Sequence, residues 1–457
     1  MESFSEFKQF FNKSFWRAFR GKGIIMDVPL NESGKNRLIE TLYREINERS
    51  YFPSLPKFLI ASEKLNGIPR FSPVFEIRDY CVYYYCIKKF EQKIAYNRTP
   101  HTFGGWTLGG LIRKSEDDEM RQVGRSLNGG SHEIYIGTYS FNPFAWSKAY
   151  GDLNAKLYLF SQNNEFSHVL TMDIANFYDN VRLDLLEQKI RGVAQKSNLD
   201  ALNLLFTFLN YWNRGRNGYN KQAVGLPQDA MGDFSRILAN FYLQDYDDYM
   251  DSLCKELGCT YVRYADDQFI FLKARDLADT IRYKATKNLN LLNLSINQMK
   301  VTITSTKELI DHRSFRTFDI LATDNDKKNK GKVECFADQY ISLLDTNGLF
   351  ELKDRGTPLL NRLLFCPALS SIDFAKKTKI MGCYLDESYL RNADSGKLHR
   401  IYELLEEQEK PKFISKLVEM SNKVIFNFFH YQVLDFLKKI GADTNQIKQR
   451  LAVLEEF

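Results

Sequence analysis

Three aspartates carry the part of the sequence best suited to chemistry. Asp266 and Asp267 are adjacent within the apolar run YVRYADDQFIFL, and Asp173 follows the apolar stretch HVLTM. Clustered carboxylates are the ligands that hard divalent cations prefer. The three acids therefore predict a divalent metal site, provided that the fold brings them together. For Asp266 and Asp267 taken alone, the alternative is a surface hairpin with two solvated acids.

The flanking residues predict the elements that would position these acids. Aromatic and β-branched residues precede and follow Asp266 and Asp267, and such residues favour strands, so the pair would lie at the bend of a β-hairpin. Residues 168–172 predict a short strand that ends at Asp173, with a helical pattern from about Val181. Each acid would then lie at the end of a strand.

A loop and a helix separate Asp173 from the acid pair. Gly225 and Pro227 interrupt the segment GLPQDAMGDFSRILANFYL, and residues 235–243 show the apolar spacing of a helix. The order along the chain is an acid, a loop with a helix, and an acid pair.

This order resembles the palm of the reverse transcriptases. Their motifs are an aspartate followed five places later by an aromatic residue, a Leu-Pro-Gln loop and Tyr-x-Asp-Asp, and all three are present here. The resemblance implies that Asp173, Asp266 and Asp267 are the catalytic and metal-holding residues, with Asp173 and Asp266 as direct ligands. It also implies two Mg²⁺ ions, with Mn²⁺ as a substitute, about 3.5–4 Å apart. One ion would activate the attacking hydroxyl, and the other would stabilise the leaving pyrophosphate.

The same resemblance implies nucleotide-binding roles for other residues. Tyr178 would pack against the sugar and exclude a ribose 2′-hydroxyl, so deoxynucleoside triphosphates are the expected substrates. Gln228 would support the incoming nucleotide. Lys300, in LLNLSINQMKVTITS, would approach the triphosphate and protonate the pyrophosphate, unless it is an ordinary surface lysine. Arg70 and Arg78 lie in a segment similar to a diverged fingers region, where each could equally be a structural ion-pair partner.

Asp229 departs from the usual reverse transcriptase pattern, in which glycine follows Leu-Pro-Gln. An aspartate adds bulk and negative charge, and we expect it to lie where a template or primer phosphate would bind. Ordinary grip on a template strand would then be weakened.

The chain after Lys300 changes in character. The segment DHRSFRTFDILA could be a degenerate remnant of a primer-grip hairpin, and the polar residues 322–334 predict an exposed loop or boundary. Beyond them, four or more segments with i, i+3, i+4 apolar spacing predict packed helices, as in a stack of irregular helical hairpins.

The predicted fold class is α+β. It consists of reverse-transcriptase-like fingers and palm, with an antiparallel palm sheet and helices, and an all-helical C-terminal domain of irregular helical-repeat type. The predicted boundaries are residues 1–160 for an N-terminal helix and fingers region with part of the palm connection, 161–321 for the palm, and 322–457 for a helical domain in place of a thumb.

A Leu-Pro-Gln-Asp palm joined to such a helical domain resembles the abortive-infection reverse transcriptases of bacterial phage defence, especially the type carried by P2-like prophages. The resemblance implies polymerisation of deoxynucleotides without a template and priming from a protein hydroxyl, on an unidentified tyrosine, serine or threonine. It further implies a single-stranded DNA product attached covalently to the protein, and assembly into homo-oligomers.

Two other functions stay open. The first is an RNA-templated reverse transcriptase of retron or intron type, against which stand Asp229, the lack of a thumb-like region and the lack of an appended RNA-binding or nuclease domain. The second is a non-catalytic nucleic-acid-binding scaffold. The three intact acids argue against a scaffold, because clustered like charges are costly to keep without a function.

Composition favours a cytoplasmic enzyme without a membrane partner. The 457 residues carry a net charge of +6, which allows a nucleic-acid partner, although no dedicated basic tail is evident. The seven cysteines include no CxxC pair, so neither a disulfide framework nor a zinc site is favoured. No apolar run approaches the ~20 residues that span a bilayer.

Overall fold

The structure is a computed structural model that describes residues 2–25, 27–64, 67–96, 98–108, 138–139, 141, 145–213 and 225–455. The chain divides into two compact units. The first unit is Met1–Leu59 with Pro73–Thr306, and the second is Ile60–Ser72 with Lys307–Phe457. The three-domain division expected from the sequence stays a prediction.

The strands are short and most of them belong to the first unit. In chain order they are β1 (Phe58–Glu63), β2 (Pro69–Val74), β3 (Thr102–Phe103), β4 (His168–Ala175), β5 (Thr260–Tyr264), β6 (Asp267–Leu272), β7 (Ser295–Ile296) and β8 (Thr302–Ser305). Among the described residues, six of them form one sheet in the order β3-β5-β6-β4-β7, with β8 paired to β4. Strands β3 and β5 run parallel and the other pairs are antiparallel, so the antiparallel sheet expected from the sequence carries one parallel pairing.

Helices pack around this sheet in the first unit. They are α1 (Phe4–Gln9), α2 (Lys13–Gly21), α3 (Glu32–Asn47), α4 (Ile77–Tyr96), α5 (Ala145–Ser161), α6 (Phe177–Asn180), α7 (Leu183–Val193), α8 (Leu199–Leu209), α9 (Asp233–Tyr242), α10 (Gln244–Glu256) and α11 (Leu277–Leu291). Helix α4 is deeply buried in this unit, since Tyr83 and Tyr84 have no exposed surface. Tyr83, Tyr84 and Tyr85 are therefore core residues.

The second unit is helical apart from the hairpin segment 60–72. Its helices are α12 (Thr306–His312), α13 (Phe315–Ile320), α14 (Asp324–Lys328), α15 (Lys330–Leu364), α16 (Phe374–Tyr384), α17 (Glu387–Leu390), α18 (Ser395–Leu404), α19 (Lys410–Lys423), α20 (Asn427–Ile440) and α21 (Asn445–Glu455). No helix in the described part of the chain is long and apolar enough to cross a membrane. The expectation of a mixed fold with a helical C-terminal region is confirmed, whereas its irregular-repeat character stays a prediction.

Two segments of the second unit correct the sequence analysis. Residues 322–334 were expected to form a loop but are largely helical, because Thr323 and Asn329 act as N-caps that accept hydrogen bonds from the amides of Asp326 and Lys332. The segment DHRSFRTFDILA forms parts of α12 and α13, and it contains no hairpin. In residues 322–334, the polar residues Thr323 and Asn329, which were expected to favour a loop, act instead as helix N-caps.

Candidate active site

The β4–β6 ladder brings two of the predicted acids face to face. Asp173 is the register partner of Asp267, and the Ile174 amide donates to the Asp266 carbonyl over 3.1 Å. This hydrogen bond lies beside the pair, so Asp173 and Asp267 occupy a non-hydrogen-bonded position, where opposed Cα atoms are about 4.5 Å apart and both side chains project to the same face. Asp173 is 4% exposed. The two carboxylates therefore share one local environment.

Asp266 lies at the bend of the predicted hairpin, which is confirmed. Tyr264 pairs with Asp267, so Ala265 and Asp266 form a two-residue turn between β5 and β6. Ala265 has a φ of 52°, in the left-handed region that a residue with a Cβ seldom adopts. All three acids thus lie at one end of the two central strands, held there by a turn with backbone strain.

Two residues from the β7–β8 connection bind Asp173 directly. The Lys300 ammonium donates to Asp173 Oδ2 over 2.7 Å, and Asn297 Nδ2 donates to Oδ1 over 3.1 Å. Burial alone would lower the pKa of Lys300, but the hydrogen bond to Asp173 and the charges of the neighbouring aspartates raise it. Lys300 is therefore a cation at neutral pH, next to the acids, as its predicted role requires.

The Leu-Pro-Gln loop is bonded to the segment that carries Tyr178. The Leu226 amide donates to the Tyr178 carbonyl over 2.8 Å, and the Gly225 amide donates to the Val181 carbonyl over 3.0 Å. Gln228 follows in the same loop and is half-buried. The fold thus places Gln228 and Tyr178 on two segments that are joined by backbone hydrogen bonds.

Tyr178 lies close to the acids as well. Burial raises the pKa of its hydroxyl, Arg236 opposes that effect, and the charge of Asp266 adds to it. The ring contacts Phe177, at a centroid distance of 5.4 Å. Tyr178 is therefore within electrostatic reach of the turn that contains Asp266.

Asp229 is buried, contrary to the expectation that its charge would meet a template or primer phosphate. Its side chain is 6% exposed and turns back onto its own loop, where Oδ2 accepts from the Met231 amide over 3.1 Å and Oδ1 from the Gly232 amide over 3.2 Å. An aspartate suits this place because it binds free amides ahead of helix α9. Because the Asp229 side chain is buried and bound to these amides, it gives no reason to expect repulsion of a template phosphate.

The two fingers arginines occupy different settings. Arg78 makes an ion pair with Glu45 at 2.5 Å and stacks over the Tyr51 ring, which is the structural alternative that the sequence left open. Arg70 is exposed on β2 in the second unit. Nucleotide contacts by either residue stay a prediction.

Sequence reasoning missed a buried arginine beside the acids. Arg263 has no exposed surface and donates two hydrogen bonds to Asp247, at 2.7 and 2.6 Å. The signal was present, because Arg263 is the one charged residue that interrupts the strand TYVRY. A cation in such a strand requires a buried anion elsewhere in the chain.

The carboxylates of Asp173, Asp266 and Asp267 are of the chemical type that a hard divalent cation prefers as ligands. In the described part of the chain, no three His, Cys, Asp or Glu side chains converge closely enough to form a complete metal centre. The Lys300 ammonium forms an ion pair with Asp173 and so places a positive charge beside this carboxylate. The assignment of Asp173, Asp266 and Asp267 as metal ligands therefore stays a prediction. Lys300 and Asn297 bind the two oxygens of Asp173.

Residues 141–334 match the model of the family described as reverse transcriptase (RNA-dependent DNA polymerase). The chain carries a reverse transcriptase domain. The three acids and the Leu-Pro-Gln loop all fall within the matched residues, and this domain supports assignment as a nucleotidyltransferase. Reverse transcriptases generally use divalent metal ions, in keeping with the carboxylate donors.

One curated relative of this reverse transcriptase domain is the retron Ec83 reverse transcriptase of Escherichia coli. It is 28% identical over 124 residues, and the match covers 27% of this chain and 38% of that enzyme. Two solved structures were matched by a comparison of structures. They are apo telomerase from Candida tropicalis and telomerase from Candida albicans with the TWJ fragment of telomeric RNA. Both are 11% identical, with TM-scores of 0.33 and 0.27; the matches cover 93% and 84% of this chain, and 72% and 74% of those chains. TM-scores this low do not establish a shared fold.

Proposed function

We propose that the protein is a DNA polymerase in which Asp173, Asp266 and Asp267 hold two Mg²⁺ ions, with Mn²⁺ as a substitute. One observation carries the proposal: Asp173 faces Asp267 across a narrow strand pair, with Asp266 in the adjoining turn. The bound ions would activate the attacking hydroxyl and stabilise the leaving pyrophosphate. Deoxynucleoside triphosphates are the proposed substrates.

The surrounding residues have defined tasks in this proposal. The Lys300 cation balances the charge of Asp173 before nucleotide binds, and its raised pKa keeps a proton available for the pyrophosphate. Tyr178, whose hydroxyl is influenced by the charge of Asp266, would exclude a ribose 2′-hydroxyl. Gln228, from the loop bonded to the Tyr178 segment, would contact the nucleotide.

We further propose untemplated synthesis primed by a protein hydroxyl, in bacterial abortive infection. The helical region after Thr306 supports this reading, because the chain there forms helices where a templated polymerase would need a thumb and primer grip. A DNA product joined covalently to the protein, a homo-oligomeric assembly and a cytoplasmic location are parts of the same proposal.

A templated reverse transcriptase of retron type is the second candidate. Two observations favour it: the similarity to a retron reverse transcriptase over 124 residues, and the inward orientation of Asp229, which removes the charge argument against a template. The two candidates are about equally supported, and they differ in one measurable property, the need for a template and a primer.

The deciding experiment supplies nuclease-treated protein with Mg²⁺ and each labelled deoxynucleotide in turn, without template or primer, and separates the products on denaturing gels. We expect label that migrates with the protein and is released as DNA by protease. Label that appears only after an RNA template and a primer are added would instead establish the retron-type reaction. Omission of Mg²⁺ is the matched control for both outcomes.

A further inference from the structure

We propose that Arg263 is a positioning residue that fixes the turn at residues 264–267 and thereby sets the place of the metal-holding acids. It acts through a buried ion pair with Asp247 on helix α10. The proposal deepens the proposed polymerase function and rests on it.

The guanidinium of Arg263 makes four hydrogen bonds. Nε and Nη2 donate to the two oxygens of Asp247, at 2.7 and 2.6 Å, while Nη1 donates to Asn240 Oδ1 at 2.9 Å and to the Ala265 carbonyl at 2.7 Å. The Arg263 and Asp247 side chains are both fully buried. The planar fork of an arginine can bind a carboxylate and two further acceptors together, which a lysine cannot do with the same geometry. Arg263 therefore links the turn to two helices at once.

The turn needs such a support. Ala265 adopts a φ of 52°, a conformation that costs of the order of 1 kcal/mol or more for a residue with a Cβ and that persists only where the surroundings impose it. The carbonyl that Arg263 binds belongs to this strained residue and immediately precedes Asp266. Rotation of the Ala265–Asp266 peptide would move Asp266, and the hydrogen bond opposes that rotation.

The anchors of Arg263 are themselves held in place. Asp247 Oδ1 also accepts from the Tyr261 hydroxyl at 2.8 Å, and Asn240 Nδ2 donates to the Gly105 carbonyl at 3.1 Å. A Cβ on Gly104 would lie 3.2 Å from Asn240 Nδ2 and 3.6 Å from the Ala265 amide, so glycine lets the β3 segment pass close to the turn. Helices α9 and α10 and strand β3 thus converge on the turn through Arg263.

The hydrogen bond from Arg263 to the turn also explains why the fold keeps the buried Arg263–Asp247 ion pair, although two charges are costly to bury. A buried ion pair adds little to stability relative to apolar side chains of similar size. Arg263 also donates to the Ala265 carbonyl, one residue before Asp266, which is a predicted metal ligand. We infer that the pair holds the geometry of the site in addition to packing the core.

The test compares three variants with the wild type. Arg263→Met removes the fork, Arg263→Lys keeps the charge, and the triple variant Arg263→Met, Asp247→Leu, Tyr261→Phe replaces the whole polar group with apolar side chains. The triple variant separates folding from positioning, because it leaves no buried charge uncompensated. Lys88→Met is the matched control, since it breaks another fully buried ion pair, Lys88 with Glu91 on helix α4.

Three quantities are measured on each folded variant: the Mn²⁺ dissociation constant, from the spin resonance of free Mn²⁺, and the kcat and KM for deoxynucleotide incorporation. We expect Arg263→Met and the triple variant to weaken Mn²⁺ binding roughly 10–100-fold. We also expect kcat to fall on the order of 10²-fold, with a smaller change in KM. Arg263→Lys should lie between these variants and the wild type, and Lys88→Met should match the wild type in Mn²⁺ affinity.

The outcomes distinguish this proposal from the proposed function. A triple variant that folds and retains wild-type Mn²⁺ affinity and kcat would overturn the positioning role of Arg263. Equal losses in Lys88→Met would also overturn it, because the effect would then be one of general stability. A wild-type protein that incorporates no deoxynucleotide under any template condition would refute the polymerase function, whereas the Mn²⁺ measurement would still report on Arg263.

Discussion

Among single residues, the buried aspartates Asp173 and Asp229 differ in the groups that bind their carboxylates. Asp173 is nearly buried, and Lys300 and Asn297 bind its two oxygens, so its charge is balanced in the absence of substrate. Asp229 is similarly buried, and its two oxygens accept hydrogen bonds from the backbone amides of Met231 and Gly232. Asp173 is therefore paired with a cation, whereas Asp229 accepts hydrogen bonds from neutral amides.

Asp229 should make the protein less stable as the pH rises. Burial raises its pKa to about 6, against the opposing effect of the two amides that it accepts from. Because the folded state holds this proton more tightly than the unfolded state, the stabilising contribution is complete below the ordinary pKa near 3.8. It is lost as the pH rises through about 6.

Asp229→Asn should flatten this dependence. The wild type is expected to lose up to about 3 kcal/mol of unfolding free energy between pH 4 and pH 7 through this residue, at 1.36 kcal/mol per pKa unit. Urea unfolding of both proteins at the two pH values measures the difference, with the exposed Glu165→Gln as a control. Identical pH dependence in Asp229→Asn and the wild type would contradict the buried, amide-bound orientation.

The sequence predicted the residue types of the site but not their orientation. Adjacent acids at a hairpin and a third acid after an apolar strand follow from local patterns. The hairpin is confirmed, and the strand is present but continues through Asp173 to Ala175. The inward orientation of Asp229 depends on nearby amides and on packing that no local pattern encodes. The pairing of Arg263 with Asp247 also depends on tertiary structure, although an arginine within an apolar strand was a usable sign.

At the scale of elements, the loop after residue 224 is shaped by its contact with the segment after β4. Gly225 has a φ of 89°, and a Cβ there would lie 3.0 Å from the Asp179 carbonyl oxygen and 3.1 Å from the Tyr178 carbonyl oxygen. Both neighbours are backbone atoms, which cannot rotate away. Glycine is therefore required at this position for the two segments to meet.

Gly225→Ala should separate the Leu-Pro-Gln loop from the Tyr178 segment. We expect a loss of at least about 1–3 kcal/mol in unfolding free energy from the strained φ alone. We also expect a raised KM for deoxynucleotide, because Gln228 and Tyr178 would no longer be in register. Gly151→Ala is a suited control, since a Cβ there meets no atom within 4 Å. A variant with wild-type stability and KM would show that the two segments do not depend on this contact.

Element prediction failed where polar residues had two structural uses. Asn, Asp and Thr in residues 322–334 were interpreted as loop formers, yet Thr323 and Asn329 cap helices and Asp326 completes a capping box. The same residue types favour turns and helix N-termini, and the choice depends on whether the following residues pack as a helix. Here the long helix α15 follows.

At the scale of the whole molecule, the chain crosses between its two units more than once. Residues 60–72 belong to the second unit, although both flanking segments belong to the first. The Ala61 amide donates to Asn427 Oδ1 over 2.7 Å, which fixes β1 to helix α20. Local sequence patterns do not predict this contact, because the two residues are 366 positions apart.

Asn427→Ala should loosen this hairpin selectively. The Ala61 amide is half-buried, and the loss of its acceptor should cost at most about 1–3 kcal/mol, the penalty for a fully buried donor. We therefore expect faster deuterium uptake at residues 58–74, with unchanged uptake at residues 260–272 in the first unit. Uniformly faster uptake, or no change at residues 58–74, would contradict the anchoring role of Asn427.

The most direct test of the central claim is deoxynucleotide incorporation by the wild type and by Asp173→Asn, Asp266→Asn and Asp267→Asn, with Mg²⁺ and with Mn²⁺. Each reaction is run without nucleic acid and with a primed RNA template. We expect metal-dependent incorporation by the wild type in at least one condition and loss of incorporation in all three variants. The two turn variants, Asp266→Asn and Asp267→Asn, should keep unfolding free energies within about 0.5 kcal/mol of the wild type. Asp173→Asn should fold with a lower one, because it removes a buried charge that is paired with Lys300. Undiminished synthesis by any of these variants, or no synthesis by the folded wild type in every condition, would contradict the central claim.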